Sequence, residues 1–167
     1  MKKIILSALL LIPLLLSGCG ETSSAPDFLP LQVFSLTMTA QINEKTFIAT
    51  LTSRSYEEIG LDFTDPPGLS VFSVRTEGEG YAVRVGDCED SVAKDFWPEG
   101  APLRLLIETV RTAVFTNHGA FEKDAATDGY TAALTVCGAP VTATFDRDGL
   151  LTEIRAESFQ AAFAELP

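Results

Sequence analysis

Apolar and polar residues alternate along much of the chain, and this alternation restricts the fold more than any other feature of the sequence. The first run lies between Phe34 and Ile42, where every second residue is apolar. A period of two places the apolar side chains on one face of a β-strand, so the run predicts a half-buried strand. Further runs of this kind, separated by turn residues, lie at 47–51, 61–63, 69–76, 81–85, 130–136, 141–145 and 150–157. The sequence therefore predicts a meandering antiparallel sheet.

One long segment has the period of a helix instead. It begins at Pro102, which suits the first helical turn, and ends near Asn117, before Gly119. Its wide apolar face must pack against a large surface, and the predicted sheet offers one. Ser158 predicts the cap of a short C-terminal helix that presents Phe159, Ala162, Phe163 and Leu166. Together these elements predict an α+β domain, with a sheet covered by one long helix and a short C-terminal helix.

The first residues have the pattern of an export signal. Lys2 and Lys3 are followed by an uncharged apolar run from Ile4 to Leu16 and then by two small residues. The run is shorter than the roughly 20 residues that cross a bilayer as a helix, and Pro13 interrupts it. A permanent transmembrane helix is therefore the weaker alternative.

The tetrad Leu16-Ser17-Gly18-Cys19 resembles the lipobox of bacterial lipoproteins. The resemblance implies that the Cys19 thiol carries a diacylglyceryl group and that residues 1–18 are removed as a signal peptide. Two or three acyl chains anchor a protein stably, since each buried CH₂ contributes about 0.8 kcal/mol. Residues 19–30 are mostly small and polar and predict a flexible tether, and residues 31–167 predict a single domain. We therefore expect a lipid-anchored protein in the cell envelope, on the extracytoplasmic face of a membrane.

The chain is acidic, with a formal net charge of −11 at pH 7, and loss of Lys2 and Lys3 with the signal peptide would make it more negative. Nucleic-acid binding needs a basic surface, so this charge argues against it. It also argues against electrostatic attraction to anionic lipid heads, which leaves membrane attachment to the lipid on Cys19.

Two cysteines remain once Cys19 is assigned to lipid. Cys88 and Cys137 form an even pair in a chain that is expected to reach an oxidising space. The pair predicts a disulfide, and two buried free thiols are the alternative.

The sequence contains few residues suited to catalysis. His118, the sole histidine, follows the predicted helix, where it suits stabilisation of the helix end, and no glycine-flanked serine elbow accompanies it. The run Asp146-Arg147-Asp148-Gly149 begins like a calcium loop but lies between two alternating runs, which favours a hairpin turn. The acidic residues around Cys88 predict a solvated loop. We therefore expect no enzyme activity, no metal site and no cofactor.

The order of the elements resembles the LolA-like superfamily, the fold of lipoprotein-carrier proteins. The resemblance covers about Phe34 to Phe159, with a long first hairpin, a mid-chain helix, and turns at Pro67-Gly68-Leu69, Gly78–Gly80, Gly138-Ala139-Pro140 and Asp148-Gly149. It implies a strongly curved, unclosed half-barrel with helix over its concave face, and an apolar space between them that holds acyl chains. In this chain the space would be lined by Phe34, Leu36, Met38, Phe47, Leu51, Phe72, Val83, Leu103, Leu106, Ile107, Val110 and Val114.

Two functions follow from these expectations. The first is a non-catalytic, anchored binding module that holds a lipid or another apolar ligand between sheet and helix. The second is an envelope lipoprotein with a structural or protein-interaction role, a filled core and no ligand. Trp97, the sole tryptophan, is expected to fill the core beneath the loop before the helix, and the lip of an apolar cleft is its alternative place.

The lipobox generates a direct prediction. Cys19→Ala removes the thiol that would carry the lipid, so the variant should leave the membrane fraction after cell lysis and washing. Ser24→Ala, in the predicted tether, should stay with the membranes. Firm membrane retention of Cys19→Ala would show that the chain is held by something other than lipid on this residue.

Overall fold

The computed structural model describes residues 28–116 and 121–166, which form one eleven-stranded antiparallel sheet and one long helix. The predicted signal peptide, Cys19, most of the tether, and His118 lie outside the described residues. Helix α1 spans Pro102–Arg111 and continues as a π-helical turn over Thr112–Thr116. Short 3-10 turns lie at Pro67–Leu69 and Lys94–Phe96. The strands are β1 Phe34–Ile42, β2 Lys45–Ser55, β3 Glu58–Asp65, β4 Phe72–Glu77, β5 Gly80–Val85, β6 Cys88–Val92, β7 Phe121–Lys123, β8 Tyr130–Val136, β9 Ala139–Phe145, β10 Leu151–Ala156 and β11 Phe159–Glu165.

The strand order is β6-β5-β4-β3-β2-β1-β11-β10-β9-β8-β7, and every neighbouring pair is antiparallel. The chain forms one half of the sheet from β1 to β6 and crosses through α1 to β7 at the opposite edge. It then returns strand by strand until β11 pairs with β1. Strands β6 and β7 are not paired with each other, so the sheet is unclosed.

The sheet curves around α1. Strand β5 reaches the helix through Tyr81, whose hydroxyl donates to Glu108, and β8 packs against the same helix. These two strands are eight positions apart in the sheet, which would separate them by roughly 38 Å if the sheet were flat. An α-helix is only about 10–12 Å wide, so both strands can touch it only if the sheet bends.

The alternation in the sequence gives the correct face of most strands. In β1 the residues Phe34, Leu36, Met38 and Ala40 are buried, and the residues between them are half-buried or exposed. The turn that follows places Asn43 and Glu44 at positive φ, as a two-residue hairpin with a type I′ twist requires. The predicted strands in 34–85 and 130–157 and the predicted long helix are thus confirmed.

Strand β6 corrects the prediction of an acidic loop around Cys88. It pairs with β5 from Val85↔Cys88 to Tyr81↔Val92, yet residues 88–91 are all exposed. An edge strand with both faces in water needs no apolar alternation, so the sequence pattern carried no signal for it.

The C-terminal segment is strand β11, so the predicted short C-terminal helix is wrong. Phe159, Ala161 and Phe163 are buried, and Gln160 and Ala162 are exposed. The spacing of Phe159 and Phe163 fits one face of a helix and one face of a strand equally well. Pairing with β1 along its whole length decides between the two, because it satisfies the backbone groups of β1 as well.

The described domain includes Phe28, which the sequence assigned to the tether. Its ring stacks on Tyr130 with 3.8 Å between centroids and meets Phe121 edge-on at 4.8 Å. The Leu31 amide donates to the Gly149 carbonyl at 2.8 Å, so the chain is held against the sheet before β1 begins.

The strand assignment of the C-terminus can be tested with a matched pair of variants. Ala161→Lys would place a charge in the core, and we expect loss of most of the free energy of unfolding, which is about 5–15 kcal/mol for a domain. Ala162→Lys lies on the outer face, and a change of about 0.5 kcal/mol or less is expected. A helix presenting Ala162 to the core would reverse this order in urea unfolding.

Candidate functional site

An apolar cavity of about 200 Å³ lies between the sheet and the first turns of α1. It is at the end of the sheet where β1 finishes and β4 and β11 begin, and the 3-10 turn at Pro67–Leu69 lies beside it. All of the residues that line it are apolar: Met38, Ala40, Ile42, Phe47, Phe63, Leu69, Phe72, Pro102, Leu103, Leu106 and Phe159.

The cavity walls follow from local sequence. Met38 and Ala40 point inward because they continue the alternation of β1, and Phe63 and Phe72 lie on neighbouring strands with ring centroids 5.4 Å apart. On the other side α1 begins at Pro102, so its first turn presents Leu103 and its second presents Leu106. The aromatic rings of Phe47, Phe63, Phe72 and Phe159 form much of the wall.

The structure divides the predicted lining residues into two groups. Met38, Phe47, Phe72, Leu103 and Leu106 line the cavity. The others are packed into the core or against its edge and do not line it: Phe34, Leu36, Leu51, Val83, Ile107, Val110 and Val114.

Sequence reasoning also missed part of the lining. Ala40 and Ile42 belong to the same alternating run as Met38 and could have been included on that ground. Phe159 was missed because its segment was assigned to a helix. No pattern in the sequence indicated that Phe63 and Leu69 lie beside the helix.

The volume limits what the cavity can hold. It exceeds the roughly 150 Å³ of an engineered apolar cavity that stays dry and takes up benzene. It is below the roughly 300–1,000 Å³ of pockets for drug-sized ligands. The space is therefore suited to a short stretch of one hydrocarbon chain and not to several acyl chains together.

A buried polar cluster lies at the other side of α1 and centres on Glu108. Its Oε1 accepts from the Tyr81 hydroxyl at 2.9 Å and from Arg111 Nη1 at 3.0 Å, and its Oε2 accepts from Lys94 Nζ at 3.1 Å. Burial, together with the negative charge of Glu108, raises the pKa of the Tyr81 phenol above its usual range. The hydroxyl therefore stays protonated and acts as a hydrogen-bond donor to the carboxylate.

Two arginines attach the helix to the loops around it. Arg111 donates from Nε to the Tyr56 carbonyl at 3.1 Å, and its guanidinium lies 4.9 Å from the Tyr56 ring centroid. Arg104 donates from Nη1 to the Trp97 carbonyl at 2.8 Å. Trp97 is half-buried against the core with its ring 5.0 Å from Tyr81, which agrees with its predicted place beneath the loop. These contacts fix α1 within the sheet.

The predicted disulfide is wrong, because Cys88 and Cys137 are both free. Cys88 is exposed on the edge strand β6, and Cys137 is half-buried in the turn between β8 and β9. These positions are separated by nearly the full width of the sheet. The order of strands, which counting cysteines cannot reveal, keeps the two thiols apart.

The acidic runs have structural roles where the structure describes them. Asp146 Oδ1 accepts from the amides of Asp148 and Leu150 at 2.9 Å each, which holds the β9–β10 turn as a hairpin. Within residues 28–116 and 121–166, no three His, Cys, Asp or Glu side chains are grouped so as to hold a metal ion. None of the helical residues in these ranges forms a helix long and apolar enough to span a bilayer.

No family model matches the sequence, and no curated protein matches it.

The Glu108 cluster predicts a large loss of stability when its centre is removed. Glu108→Ala leaves Arg111 buried without its carboxylate, so we expect the free energy of unfolding to fall by about 3–5 kcal/mol. Glu58→Ala is the matched control, because it breaks an exposed ion pair with Arg54 and should cost about 1 kcal/mol or less. Equal losses for the two variants in urea unfolding would contradict a central role for the cluster.

Proposed function

We propose that this protein is a non-catalytic lipoprotein, anchored to a membrane of the cell envelope through Cys19, that binds a single hydrocarbon chain or a similar small apolar group. The observation that carries the binding role is the wholly apolar cavity of about 200 Å³ between β-sheet and α1. The lipobox and the export signal support the anchor.

An unfilled cavity of this kind is costly. Side chains that line an unfilled apolar space lack the close contacts that they would make in a packed core. A hydrocarbon chain that entered the cavity would supply these contacts. The walls offer no polar partner, so the ligand would be recognised by its apolar part alone.

The unclosed antiparallel sheet with a helix in its concave face supports the proposal of a LolA-like fold. This chain differs from the carriers in its single long helix and in its predicted anchor. An anchored protein cannot shuttle between membranes, so the role that fits it is to hold or receive an apolar group in place. The small volume agrees with one chain or the end of one chain.

The alternative is an envelope lipoprotein with a structural role and no ligand. It is favoured by the dense packing of the central core, where Leu36, Leu51, Ile107 and Val110 are almost completely buried. On this alternative the cavity is a packing defect at one end of the domain.

Variants that change the cavity volume separate the two functions. Ala40→Leu projects a larger side chain into the cavity, and Thr39→Leu places a leucine on the opposite face of β1, where the side chain is exposed. We expect Ala40→Leu to abolish binding of dodecanoic acid and Thr39→Leu to leave it unchanged, as measured by adducts of the intact chain in native mass spectrometry.

Enlarging the cavity gives a second readout if Ala40→Leu folds poorly. Phe47→Ala removes an aromatic wall, so chains longer than dodecanoic acid should bind better than they do in the native protein. Binding that stays the same in both cavity variants would place the ligand elsewhere. No binding of any chain to the native protein would favour the structural alternative.

A further inference from the structure

Four exposed apolar side chains gather at the end of the sheet where the described chain begins and finishes. Leu29 and Val33 are 76% and 70% exposed, and Leu31 and Leu166 are 45% and 47% exposed. Leu36 pairs with Glu165, so continuing the antiparallel register places Leu166 opposite Ser35 and diagonal to Val33. We call these four residues the end patch.

The end patch is held in place by the domain. Phe28 is fixed by its stacking on Tyr130, and the Leu31 amide donates to the Gly149 carbonyl. The Ser53 hydroxyl donates to the Gln32 carbonyl at 2.8 Å. These contacts involve the Phe28 ring and the backbone of Leu31 and Gln32. The side chains of Leu29, Leu31 and Val33 are therefore left facing water. Such a group of apolar side chains, fixed at the surface, is typical of a contact site.

The position of the proposed anchor indicates what covers the end patch. Eight residues, 20–27, separate Cys19 from Phe28. Fully extended they reach about 30 Å at most, and as a flexible coil they span roughly 16 Å on average. A lipid on Cys19 therefore keeps this end of the domain next to the bilayer, which is the largest apolar phase within its reach.

We infer that the end patch lies on the surface of the membrane that holds the lipid anchor, so that the domain stands on that membrane with its cavity at the far end. This inference rests on the proposed anchor at Cys19. The cavity lies where β1 ends, at Ile42, and the end patch lies where β1 begins, at Phe34. The nine residues of β1 separate them by about 27 Å along the strand.

The inferred contact between the end patch and the membrane is apolar and not electrostatic. The β9–β10 turn, which touches the end patch through Gly149, carries Asp146 and Asp148 beside Arg147. Its net negative charge is repelled by anionic head groups, whereas zwitterionic lipid leaves the burial of apolar side chains as the driving force. Phosphatidylcholine is therefore the appropriate test surface, and added anionic lipid should weaken the contact.

The test uses the full lipidated chain in phosphatidylcholine vesicles, with Trp97→Phe to remove the native tryptophan. Val33→Trp then places a reporter in the end patch. Val71→Trp is the matched control, because Val71 is 52% exposed and precedes β4 at the cavity end of the sheet. Emission is compared in vesicles with and without brominated acyl chains, which quench tryptophan at close range.

We expect Val33→Trp to give blue-shifted emission that brominated lipid quenches, and Val71→Trp to give neither effect. Adding Leu29→Ser and Leu31→Ser to the first reporter should remove its quenching while the protein stays on the vesicles. Equal quenching of the two reporters, or none in either, would overturn the inference, because the domain would then move freely on its tether.

The same vesicles and the binding assay test the anchor and the proposed ligand separately from the membrane contact. Loss of the native chain from vesicles on washing would refute the anchor, and with it the premise of the inference. Failure of dodecanoic acid to bind would refute the proposed ligand and leave the quenching result unaffected.

Discussion

The burial of α1 in the concave face of the sheet is the interaction on which the rest of this structure depends. An unclosed sheet with an apolar inner face is stable in water only if another element covers that face. Here one helix does so, and the sheet bends around it until strands eight positions apart both reach it. A helix enclosed in this way buries polar side chains as well as apolar ones, and Arg104, Glu108 and Arg111 are all buried. The hydrogen bonds around Glu108 are therefore a consequence of the enclosure.

The cavity has the same origin. The ten residues of α1 and the five of its π-helical turn extend about 22 Å, which is less than the roughly 27 Å of β1. The helix reaches the β2–β3 turn through Arg111, so the inner face of the sheet is left uncovered at the opposite end, where Pro102 begins the helix. Aromatic side chains from several strands surround the remaining space without filling it. A cavity at this point is thus a product of unequal lengths in the helix and the strands.

The domain has two distinct ends along the direction of its strands. One end carries the chain entry, the end patch and the buried contacts of Phe28. The other carries the cavity. If the first end rests on the membrane, the second is presented to the space beyond it, where an apolar group could arrive from another protein. The proposed anchor and the proposed ligand site would then act at separate places, and neither would need the other to be correctly formed.

Local sequence determined most of the strands, the long helix and the face that each presents to the core, because alternation and helical spacing are properties of neighbouring residues. It also predicted a lipobox, in residues that lie outside the described fold. It failed where the decisive contacts are distant in the chain. The segment Phe159–Glu165 has apolar spacings common to helix and strand, and pairing with β1 made it a strand. Residues 88–92 became a strand only through β5, and Cys88 and Cys137 remain free because the strand order separates them. The extent of the cavity and the cluster around Glu108 likewise required the tertiary structure, since both depend on where a helix of limited length ends inside a sheet that curves around it.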